Sequence, residues 1–410
     1  MEKINLNICL LLPDYFSEEM PARPAITEIY GKHLSLNHNI TWICPSKKLY
    51  TQLFDLQKYE QVNVYSISHP ICLGLMSKSF NFIMYYYKLY KLMAVLFTKE
   101  NFDIIQVRND VFSALIAIYF KNKYRIPFVF QYSFPIDAFK FRKRNIYYFF
   151  GILQNYLQKY ILKNADLIFP ISEWMEFKLI KGGISKSKMV PLPMGVNPEL
   201  FDFNIDGSKI RERYGLTDYK VLLYVGSMDK LRSLDPIIHA FSLIRKTNLD
   251  TKLLMVGDGN DRSHLEELSV KFGVSQYIIF TGKVSYFEIP YYISSADICL
   301  SPIRPLDIYK VSSPTKLFES MVMRKPVVAN KEIQEQREVL EVSNGGILVE
   351  FQAESFASGI IRLLKNPDIA KAMGEKGYRW VIENRSYESM AYNVEKEYFK
   401  LLKSYGVSQS

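Results

Sequence analysis

Short runs of aliphatic and β-branched residues recur along the chain, and the stretches between them are long enough for a helix. In the first half these runs occupy residues 6–12, 40–44, 104–107, 127–132 and 167–171. They do not alternate strictly between apolar and polar positions, which is typical of strands that are buried on both faces. The pattern therefore predicts a parallel sheet with helices on either side.

The same pattern restarts in the second half, after a break near residues 195–210 that is rich in Pro, Gly, Asn and Asp. The second set of runs occupies residues 221–225, 252–256, 277–281, 298–301, 326–329 and 347–350. We therefore expect an α/β protein with two doubly wound, Rossmann-like domains, which span residues 1–200 and 205–386.

Composition agrees with two folded domains. The 410 residues are 48% hydrophobic and 23% charged, which is typical of a globular protein. The four cysteines form no C-x-x-C pair, so we interpret them as small buried residues of a protein in a reducing cytoplasm. Residues 4–12 are apolar but lead directly into Pro13, which favours a first strand over a signal peptide, and no run of about 18 apolar residues predicts a membrane span.

Segment 134–163 is unusually rich in basic residues. The chain carries a net charge of +10, and between residues 134 and 163 several Lys and Arg residues are interleaved with aromatic residues and a single Asp. Such a segment suits the headgroup layer of an anionic bilayer, a single-stranded nucleic acid, or a solvated helix whose aromatic residues face the core. A second aromatic, lysine-bearing stretch at residues 80–97 favours the membrane. We therefore expect an anionic membrane surface, and no nucleic acid, as a partner of segment 134–163.

Candidate chemistry is concentrated in Ser313-Pro-Thr-Lys-Leu-Phe-Glu319, which precedes a buried strand. Ser313 is a suitable N-cap, and Pro314 fits the first helical position. The amides of Thr315 and Lys316 would then be open to an anion at the positive end of a helix, and Lys316 adds a cation. Glu319 lies one turn further along the same face, where it can accept hydrogen bonds from a sugar diol. The segment predicts a nucleotide site, although an ordinary capped surface helix would show the same pattern.

Further loops follow strands of the second half and should meet at one edge of its sheet. They contain Gly226-Ser227, Gly257-Asp258-Gly259 and Gly282-Lys283-Val284. Glycine lets a backbone approach a ligand closely. Asp235 and Pro236 suit the N-cap and the first position of a helix. Arg232 precedes this helix start, so its guanidinium can join Lys316 in neutralising a diphosphate. Because no Asp-x-Asp pair occurs, we expect protein cations rather than a metal to stabilise that group.

These motifs, in this order, resemble the family 4 retaining glycosyltransferases, which have the GT-B fold. The motifs are Tyr-Val-Gly-Ser-Met with Arg232, Leu-Leu-Met-Val-Gly-Asp-Gly, Phe-Thr-Gly-Lys-Val, Ala-Asp-Ile-Cys-Leu-Ser-Pro, and Pro-Thr-Lys-Leu-Phe-Glu-Ser-Met with Lys-Pro-Val-Val-Ala. Residues 169–174 and 190–197 also resemble the closing segment of the family's first domain. The resemblance covers nearly the whole chain.

The resemblance implies two domains that face each other across a cleft, with the acceptor on the first domain and a nucleotide-sugar donor on the second. It implies that Arg232 and Lys316 hold the donor diphosphate and that Glu319 binds the ribose. It further implies that the last helix, residues 387–405, crosses back onto the first domain. The other donor-binding positions would be Gly226, Ser227, Gly257, Asp258, Gly259, Lys283, Val284, Ser313, Thr315 and Leu317.

The chain departs from the family pattern beside these residues. The glutamate that the family places eight residues before Glu319 is Val311 here, and we interpret Asp307 as its catalytic replacement. The arginine that is usual beside Gly226 is Ser227 here, which leaves one cation fewer on the phosphates.

The acceptor side departs from the pattern as well. Ser133 takes about the place of a histidine near the reacting sugar, and residues 21–25 replace a glycine-rich loop. We therefore assign Arg23, Arg108, Asp110 and Ser133 to the acceptor side, and an ordinary surface role stays equally open for them.

The leading hypothesis is an enzyme, a metal-independent retaining glycosyltransferase that needs no cofactor beyond its nucleotide sugar. Transfer would proceed by front-face attack of an acceptor hydroxyl. The basic aromatic first domain favours a lipid-linked or cell-envelope glycan acceptor, and a cytoplasmic protein that can lie peripherally on the inner face of the cytoplasmic membrane. Three alternatives stay open: an idle partner subunit that activates another transferase, a nucleic-acid-binding protein, and a hydrolase or epimerase on the same fold.

Overall fold

The structure is a computed structural model that describes residues 5–15, 23–69, 75–134, 146–247 and 249–406, with the backbone alone at residues 75–79 and 146–151. Unit 1 comprises Met1–Pro193 with Tyr387–Ser410, and unit 2 comprises Met194–Ser386. Residues 194–200, which the sequence analysis assigned to the first domain, lie in unit 2.

Unit 1 contains a seven-stranded sheet in the order β3-β4-β2-β1-β5-β6-β7. All neighbouring strands are parallel except β3 and β4, which are antiparallel. The strands are β1 (Asn7–Leu11), β2 (Asn39–Ser46), β3 (Asp55–Tyr59), β4 (Val62–Ser68), β5 (Ile104–Arg108), β6 (Phe128–Tyr132) and β7 (Leu167–Pro170). Five of these follow the predicted runs. The β3–β4 pair was not predicted; β3 is a half-exposed edge strand, so it lacks an apolar run.

The helices of unit 1 cover both faces of this sheet. They are α1 (Pro24–Ile26), which continues as a π-helical segment (Thr27–His33) and a 3-10 turn (Leu34–Leu36), then α2 (Leu75–Lys99), α3 (Val111–Tyr124), α4 (Ile146–Asn164), α5 (Glu173–Lys181), a 3-10 turn (Lys186–Lys188), and α15 (Tyr387–Ser404). Helix α3 packs against α2 and α4, whereas α15 packs against the π-helical segment. Right-handed crossovers place these two groups on opposite faces, because the chain moves in opposite directions along the sheet after β1 and after β4.

Helix α15 is anchored in unit 1 by buried polar contacts. Tyr398 Oη donates to Gln106 Oε1 on β5, and Gln106 Nε2 donates to Tyr30 Oη at 2.8 Å. His38 Nδ1 accepts from the backbone N–H of Leu6, and His38 Nε2 lies 2.8 Å from Glu395 Oε1. The last helix of the chain is therefore part of the core of the first sheet.

Unit 2 contains a fully parallel six-stranded sheet in the order β10-β9-β8-β11-β12-β13. Its strands are β8 (Lys220–Val225), β9 (Thr251–Val256), β10 (Ile278–Gly282), β11 (Ile298–Ser301), β12 (Val327–Asn330) and β13 (Gly346–Val349). Each follows a predicted run, and the order confirms a doubly wound sheet.

Helices also cover both faces of the second sheet. They are α6 (Ser208–Arg213), α7 (Asp235–Arg245), α8 (Arg262–Lys271), α9 (Ile289–Ser295), α10 (Asp307–Lys310), α11 (Thr315–Val322), α12 (Gln334–Ser343), α13 (Ala353–Lys365) and α14 (Pro367–Asn384), with 3-10 turns at Ser275–Tyr277 and Tyr286–Glu288. One apolar cluster contains residues of α7 and α13, and a second contains residues of α9, α11 and α12. Both faces of this sheet are therefore buried, as its unbroken apolar runs indicate.

Three cysteines, Cys9, Cys44 and Cys299, are buried free thiols. Within the described ranges, no helix combines the length and the apolar character that crossing a membrane requires.

Candidate active site

The loops that follow β8, β9 and β10 are tied to one another at the carboxyl edge of the second sheet. Gly226 N–H donates to Val256 O at 2.9 Å, and Gly257 N–H donates to Gly282 O at 3.0 Å. Met228 N–H donates to Asp258 O at 2.9 Å, which fixes the β8 loop against the β9 loop. The three loops therefore form one connected backbone surface.

Two glycines make this surface possible. Gly257 has φ +134°, and a Cβ at that position would lie 2.0 Å from Gly226 O. Gly226 has φ +148°, and a Cβ there would lie 2.9 Å from Lys316 Nζ and 3.1 Å from Tyr224 Oη. Any side chain at residue 226 would displace the lysine ammonium, because the two would overlap. Gly226 therefore makes room for Lys316.

Lys316 lies in a partly buried position against an aromatic ring. Its Nζ atom is 4.1 Å from the centroid of the Tyr224 ring, and Tyr224 Oη donates to Ser227 O at 2.8 Å. The pKa of Lys316 is lowered to about 7, mainly by burial; the positive charge of Arg232 acts in the same direction, and Glu319 opposes both. The ammonium is thus destabilised in this environment, and a nearby anion would restore its charge.

The helix that carries Lys316 starts differently from the prediction. Helix α11 begins at Thr315, and Pro314 rather than Ser313 is the N-cap residue. Ser313 Oγ accepts from Met194 N–H at 2.8 Å, so this hydroxyl holds the backbone at the start of unit 2 and does not cap the helix. The amides of Thr315 and Lys316 precede the first intrahelical acceptors, as at any helix start, whereas Leu317 N–H donates to Pro314 O at 3.2 Å. The predicted position of an anion at this helix end is unchanged.

Leu317 was predicted as a donor-binding position. Its side chain is fully buried in an apolar cluster of unit 2. A buried leucine side chain cannot contact a ligand at the sheet edge, so any contact from this residue would have to come from its backbone.

Glu319 lies one turn beyond Lys316 and is almost completely buried, with 6% of its surface exposed. Tyr286 Oη donates to Glu319 Oε1 at 3.3 Å. Burial raises the pKa of Glu319 to about 7, although the Tyr286 hydrogen bond and Lys316 both lower it. Tyr286 lies in a 3-10 turn that is fixed by a Ser285–Glu288 capping box. The sequence analysis did not single out Tyr286, although Ser-x-x-Glu at this position marks the turn.

Arg232 is partly buried, and its guanidinium lies 4.8 Å from the centroid of the Tyr309 ring on α10. Tyr309 was not among the predicted site residues, because nothing in the local pattern connects α10 to Arg232. The helix after Arg232 has Leu234 as its N-cap, with Asp235 as its first residue. Asp235 Oδ1 instead lies 2.7 Å from His264 Nε2. The predicted cap at Asp235 was therefore wrong by one residue.

Two positions mark the departure from the family's acidic pair. Val311 is buried, with 2% of its surface exposed. Asp307 begins α10, its side chain is 77% exposed, and its Oδ1 atom lies 3.3 Å from Lys310 Nζ. The structure therefore places an apolar side chain where the family has a carboxylate, and a solvated carboxylate nearby in sequence.

The remaining predicted donor-side residues shape the loops. Asp258 is exposed, and its Oδ1 atom accepts from Gly259 N–H at 2.9 Å. A Cβ at Gly259 would lie 2.4 Å from the Met228 backbone, so this position also requires close backbone approach. Lys283 is exposed and Val284 is partly buried.

A buried amide network holds the loop between β11 and α10. Asn330 Oδ1 accepts from Ile303 N–H at 2.8 Å, and Asn330 Nδ2 donates to Ile303 O at 3.0 Å. Gln336 Nε2 donates to Asn330 O at 3.0 Å, and both amide side chains are fully buried. This network fixes the loop that leads to Tyr309. The sequence analysis missed it, since its partners are separated along the chain.

In unit 1, the predicted arginines surround an aspartate. Arg108 Nη1 lies 2.7 Å from Asp14 Oδ2, and Arg23 Nε lies 3.2 Å from Asp14 Oδ1. Burial lowers the pKa of Arg108, while Asp14 opposes that shift. Arg23 is mostly exposed. The sequence analysis did not identify Asp14, which follows β1 and joins the two cations.

The two other acceptor-side candidates lie at strand ends of the same sheet. The Asp110 carboxylate caps α3 by accepting from the backbone N–H groups of Phe112 and Ser113, and Tyr86 Oη donates to it at 3.1 Å. Both carboxylate oxygens of Asp110 thus accept hydrogen bonds from neighbouring residues of unit 1. Ser133 Oγ is buried and has no hydrogen-bond partner within the described part of the chain. Ser133 therefore offers an unused polar atom, and Asp110 does not.

Groups of three or more His, Cys, Asp or Glu side chains placed to hold a metal ion are not found among the described residues. The predicted basic segment 134–163 lies partly outside these residues, because residues 135–145 are not described.

Comparison with known proteins identifies the chain. Residues 28–200 match the family model described as Glycosyltransferase Family 4, and residues 206–380 match the model described as Glycosyl transferases group 1. An uncharacterized glycosyltransferase of Methanocaldococcus jannaschii is 24% identical over 98% of both chains.

A GDP-mannose-dependent alpha-(1-6)-phosphatidylinositol monomannoside mannosyltransferase of Mycolicibacterium smegmatis is 26% identical over 54% of this chain and 59% of its own length. The structure of HepE from Anabaena in complex with UDP superposes with a TM-score of 0.71 at 14% identity and covers 96% of this chain and 99% of its own. The chain therefore belongs to the glycosyltransferases and has the GT-B fold, with a family 4 domain followed by a group 1 domain.

Proposed function

We propose that this protein is a retaining glycosyltransferase that moves a sugar from a nucleotide sugar to an acceptor hydroxyl. The observation that carries the proposal is the cluster of Lys316, Gly226 and Tyr224 at the carboxyl edge of the second sheet, with Glu319 one helical turn away. The cluster combines a lysine for the diphosphate, a glycine that lets the backbone approach the ligand, and a carboxylate for the ribose. These groups together suit a nucleoside diphosphate.

Lys316 and Arg232 would hold the donor diphosphate. The pKa of Lys316 is lowered to about 7 mainly by burial, so an incoming diphosphate would stabilise the ammonium form. Negative charge on the diphosphate grows as the bond to the sugar breaks, and fixed cations stabilise that charge most strongly. The Tyr309 ring beneath Arg232 would keep this guanidinium in place.

Glu319 would accept hydrogen bonds from the ribose hydroxyls. Its carboxylate is buried, and Tyr286 orients one of its oxygens. The glycine loops at Gly226 and Gly257, with Lys283 and Val284 after β10, would pass close to the nucleotide through their backbones.

Asp307 would provide the acidic contact to the transferred sugar that Val311 cannot. Its side chain is 77% exposed, and its Oδ1 atom lies 3.3 Å from Lys310 Nζ. We propose that the acceptor attacks from the face that the diphosphate leaves, which gives retention without a covalent enzyme intermediate.

The acceptor is proposed to be a lipid-linked or cell-envelope glycan intermediate that meets a cytoplasmic enzyme at the membrane surface. The relative from M. smegmatis is named for a phosphatidylinositol monomannoside substrate, which supports a lipid acceptor. Arg23, Arg108 and Ser133 are the proposed contacts on unit 1. An idle partner subunit is not favoured, because Arg232, Lys316 and Glu319 are all retained.

The test is a binding and turnover screen with UDP-, GDP-, ADP- and CMP-linked sugars, without added metal. Wild type should bind one donor and hydrolyse it slowly, whereas Lys316→Ala and Glu319→Ala should bind it at least about tenfold more weakly, since each loses a charged contact. Lys271→Ala, an exposed lysine on α8, is the matched control and should bind as wild type does. Binding of no donor, or equal binding by all variants, would contradict the proposal. With an acceptor in hand, the anomeric configuration of the product by NMR tests retention.

A further inference from the structure

Three neighbouring helices of unit 1 contain no acidic residue. Helices α2, α3 and α4 carry eight lysines between them and not one Asp or Glu. They lie on the sheet face opposite to α15, in which Glu388, Glu395 and Glu397 balance three lysines. The charge of unit 1 is therefore strongly asymmetric across its sheet.

Helix α2 is apolar on two sides. Its inner side buries Leu89, Leu92, Met93 and Leu96. Its outer side exposes Phe80, Ile83, Tyr87 and Tyr90, with exposures of 63%, 65%, 53% and 37%. The exposed positions follow a spacing of three and four residues, which places them on one solvent-facing stripe. Core packing does not account for this second stripe.

The stripe continues onto the neighbouring helices. The rings of Phe82 and Phe112 are 5.0 Å apart between centroids, and those of Tyr90 and Tyr119 are 5.7 Å apart, so α2 and α3 share an aromatic surface. On α4, Tyr156 is 69% exposed. The outer faces of α2, α3 and α4 together form a surface of exposed rings and lysines, which we call the α2–α4 face.

The eight lysines outnumber the acidic residues that lie next to the ends of these helices, Glu100, Asp110 and Asp166. Asp110 is taken up in capping α3. Asp166, which follows α4, is paired with Lys121 at 2.7 Å. Lys91 and Lys159 are exposed, and Lys91 Nζ lies 5.7 Å from the centroid of the Tyr87 ring.

We propose that the α2–α4 face docks the protein on an anionic lipid bilayer. Tyrosine rings place an apolar body and a polar tip in the headgroup layer, and lysine stems can lie along lipid while their ammonium groups meet the phosphates. Helices that expose rings and lysines and carry no acidic residue of their own complement anionic lipids in both respects. Docking would bring unit 1 to a membrane-borne acceptor, so the role of this face in catalysis rests on the proposed function.

The experiment is cosedimentation of the full chain with vesicles of phosphatidylcholine, with and without phosphatidylglycerol. Wild type should bind the vesicles that contain phosphatidylglycerol, and high salt should weaken that binding. Lys91→Glu with Lys159→Glu should weaken it about 25-fold or more, since each lysine near an anionic surface contributes about fivefold. Ile83→Ser with Tyr87→Ser and Tyr156→Ser should also lose binding. These side chains are exposed, and circular dichroism will confirm that the variants fold.

The matched controls are Tyr392→Ser and Lys396→Glu, which change exposed residues of α15 in the same unit. They should bind vesicles as wild type does. Equal binding to phosphatidylcholine alone, equal loss in the controls, or a change in self-association by light scattering without a change in vesicle binding would overturn the proposal.

Donor binding separates this result from the proposed function. The face variants should keep wild-type affinity for the nucleotide sugar, and Lys316→Ala should keep wild-type affinity for vesicles. A protein that binds vesicles through the α2–α4 face but binds no donor would refute the proposed function alone.

Discussion

Donor binding should weaken as the pH rises above 7, because Lys316 must then gain a proton on binding. Burial and the charge of Arg232 lower the pKa of Lys316 to about 7 in the free protein. A bound diphosphate favours the ammonium and raises this pKa. Below pH 7 the lysine is already charged before the donor arrives. Above pH 7 the free protein holds a neutral amine, so binding takes up a proton and becomes less favourable with each pH unit.

The magnitude follows from the size of the shift. With a pKa near 7, about half of the Lys316 side chains are charged at pH 7, and roughly one in a hundred is charged at pH 9. The dissociation constant should therefore increase roughly 50-fold between these pH values, provided that the pKa in the complex exceeds 9. Glu319 titrates in the same range, because burial raises its pKa to about 7 as well. Glu319→Gln removes that second titration and leaves that of Lys316, whose pKa should then lie lower because Glu319 raises it.

The assay is isothermal titration calorimetry with the nucleotide sugar from pH 6 to pH 9, in buffers of different ionisation enthalpy that report proton uptake. The nucleotide sugar is preferable to the free diphosphate, whose terminal phosphate titrates near neutral pH. Lys316→Met should bind weakly and without pH dependence, while Lys271→Met should keep the wild-type slope. A flat profile in Glu319→Gln, or an unchanged slope in Lys316→Met, would show that proton uptake by Lys316 does not accompany donor binding.

Three further changes test the framework of the site. Gly257→Ala places a Cβ 2.0 Å from Gly226 O and should destabilise the protein by about 3 kcal/mol or more, read as a lower melting temperature and weaker donor binding; an unchanged melting curve would contradict the close approach. Tyr398→Phe leaves the buried Gln106 Oε1 without its donor and should cost roughly 1–3 kcal/mol in denaturant unfolding, with donor affinity unchanged. Asp307→Ala should lower turnover while the fold persists, and unchanged turnover together with unchanged donor affinity would dismiss its proposed role.

The two sheets were predictable from local pattern. A parallel strand that is buried on both faces needs a continuous apolar run, and eleven observed strands follow such runs. The β3–β4 hairpin was not predicted, because the edge strand β3 exposes one side and carries polar residues such as Gln57 and Lys58. The start of α11 was misjudged for a different reason. Ser313 satisfies every local rule for an N-cap, but its hydroxyl instead accepts from Met194 N–H, a residue remote in sequence.

Some residues of the candidate site could be predicted from local pattern and others could not. Lys316, Glu319, Arg232 and the glycine loops are visible in the sequence, because each follows a strand and carries a charge or an open backbone. The partners of the α11 side chains cannot be predicted from local pattern. The Tyr224 ring on β8 contacts Lys316, and Tyr286 Oη, from a 3-10 turn, donates to Glu319.

The class of fold can be predicted from the sequence, as can the two sheets and the charged residues at the strand ends, since these depend on periodicity and on residue type over short stretches of chain. Three properties depend on tertiary packing. Lys316 Nζ lies in the space that a side chain at residue 226 would fill, and burial brings the pKa values of Lys316 and Glu319 to about 7. Packing also groups α2, α3 and α4, which contain no acidic residue, on one face of the first sheet. Those properties arise from distances between residues that are far apart in the chain, and no local pattern encodes such distances.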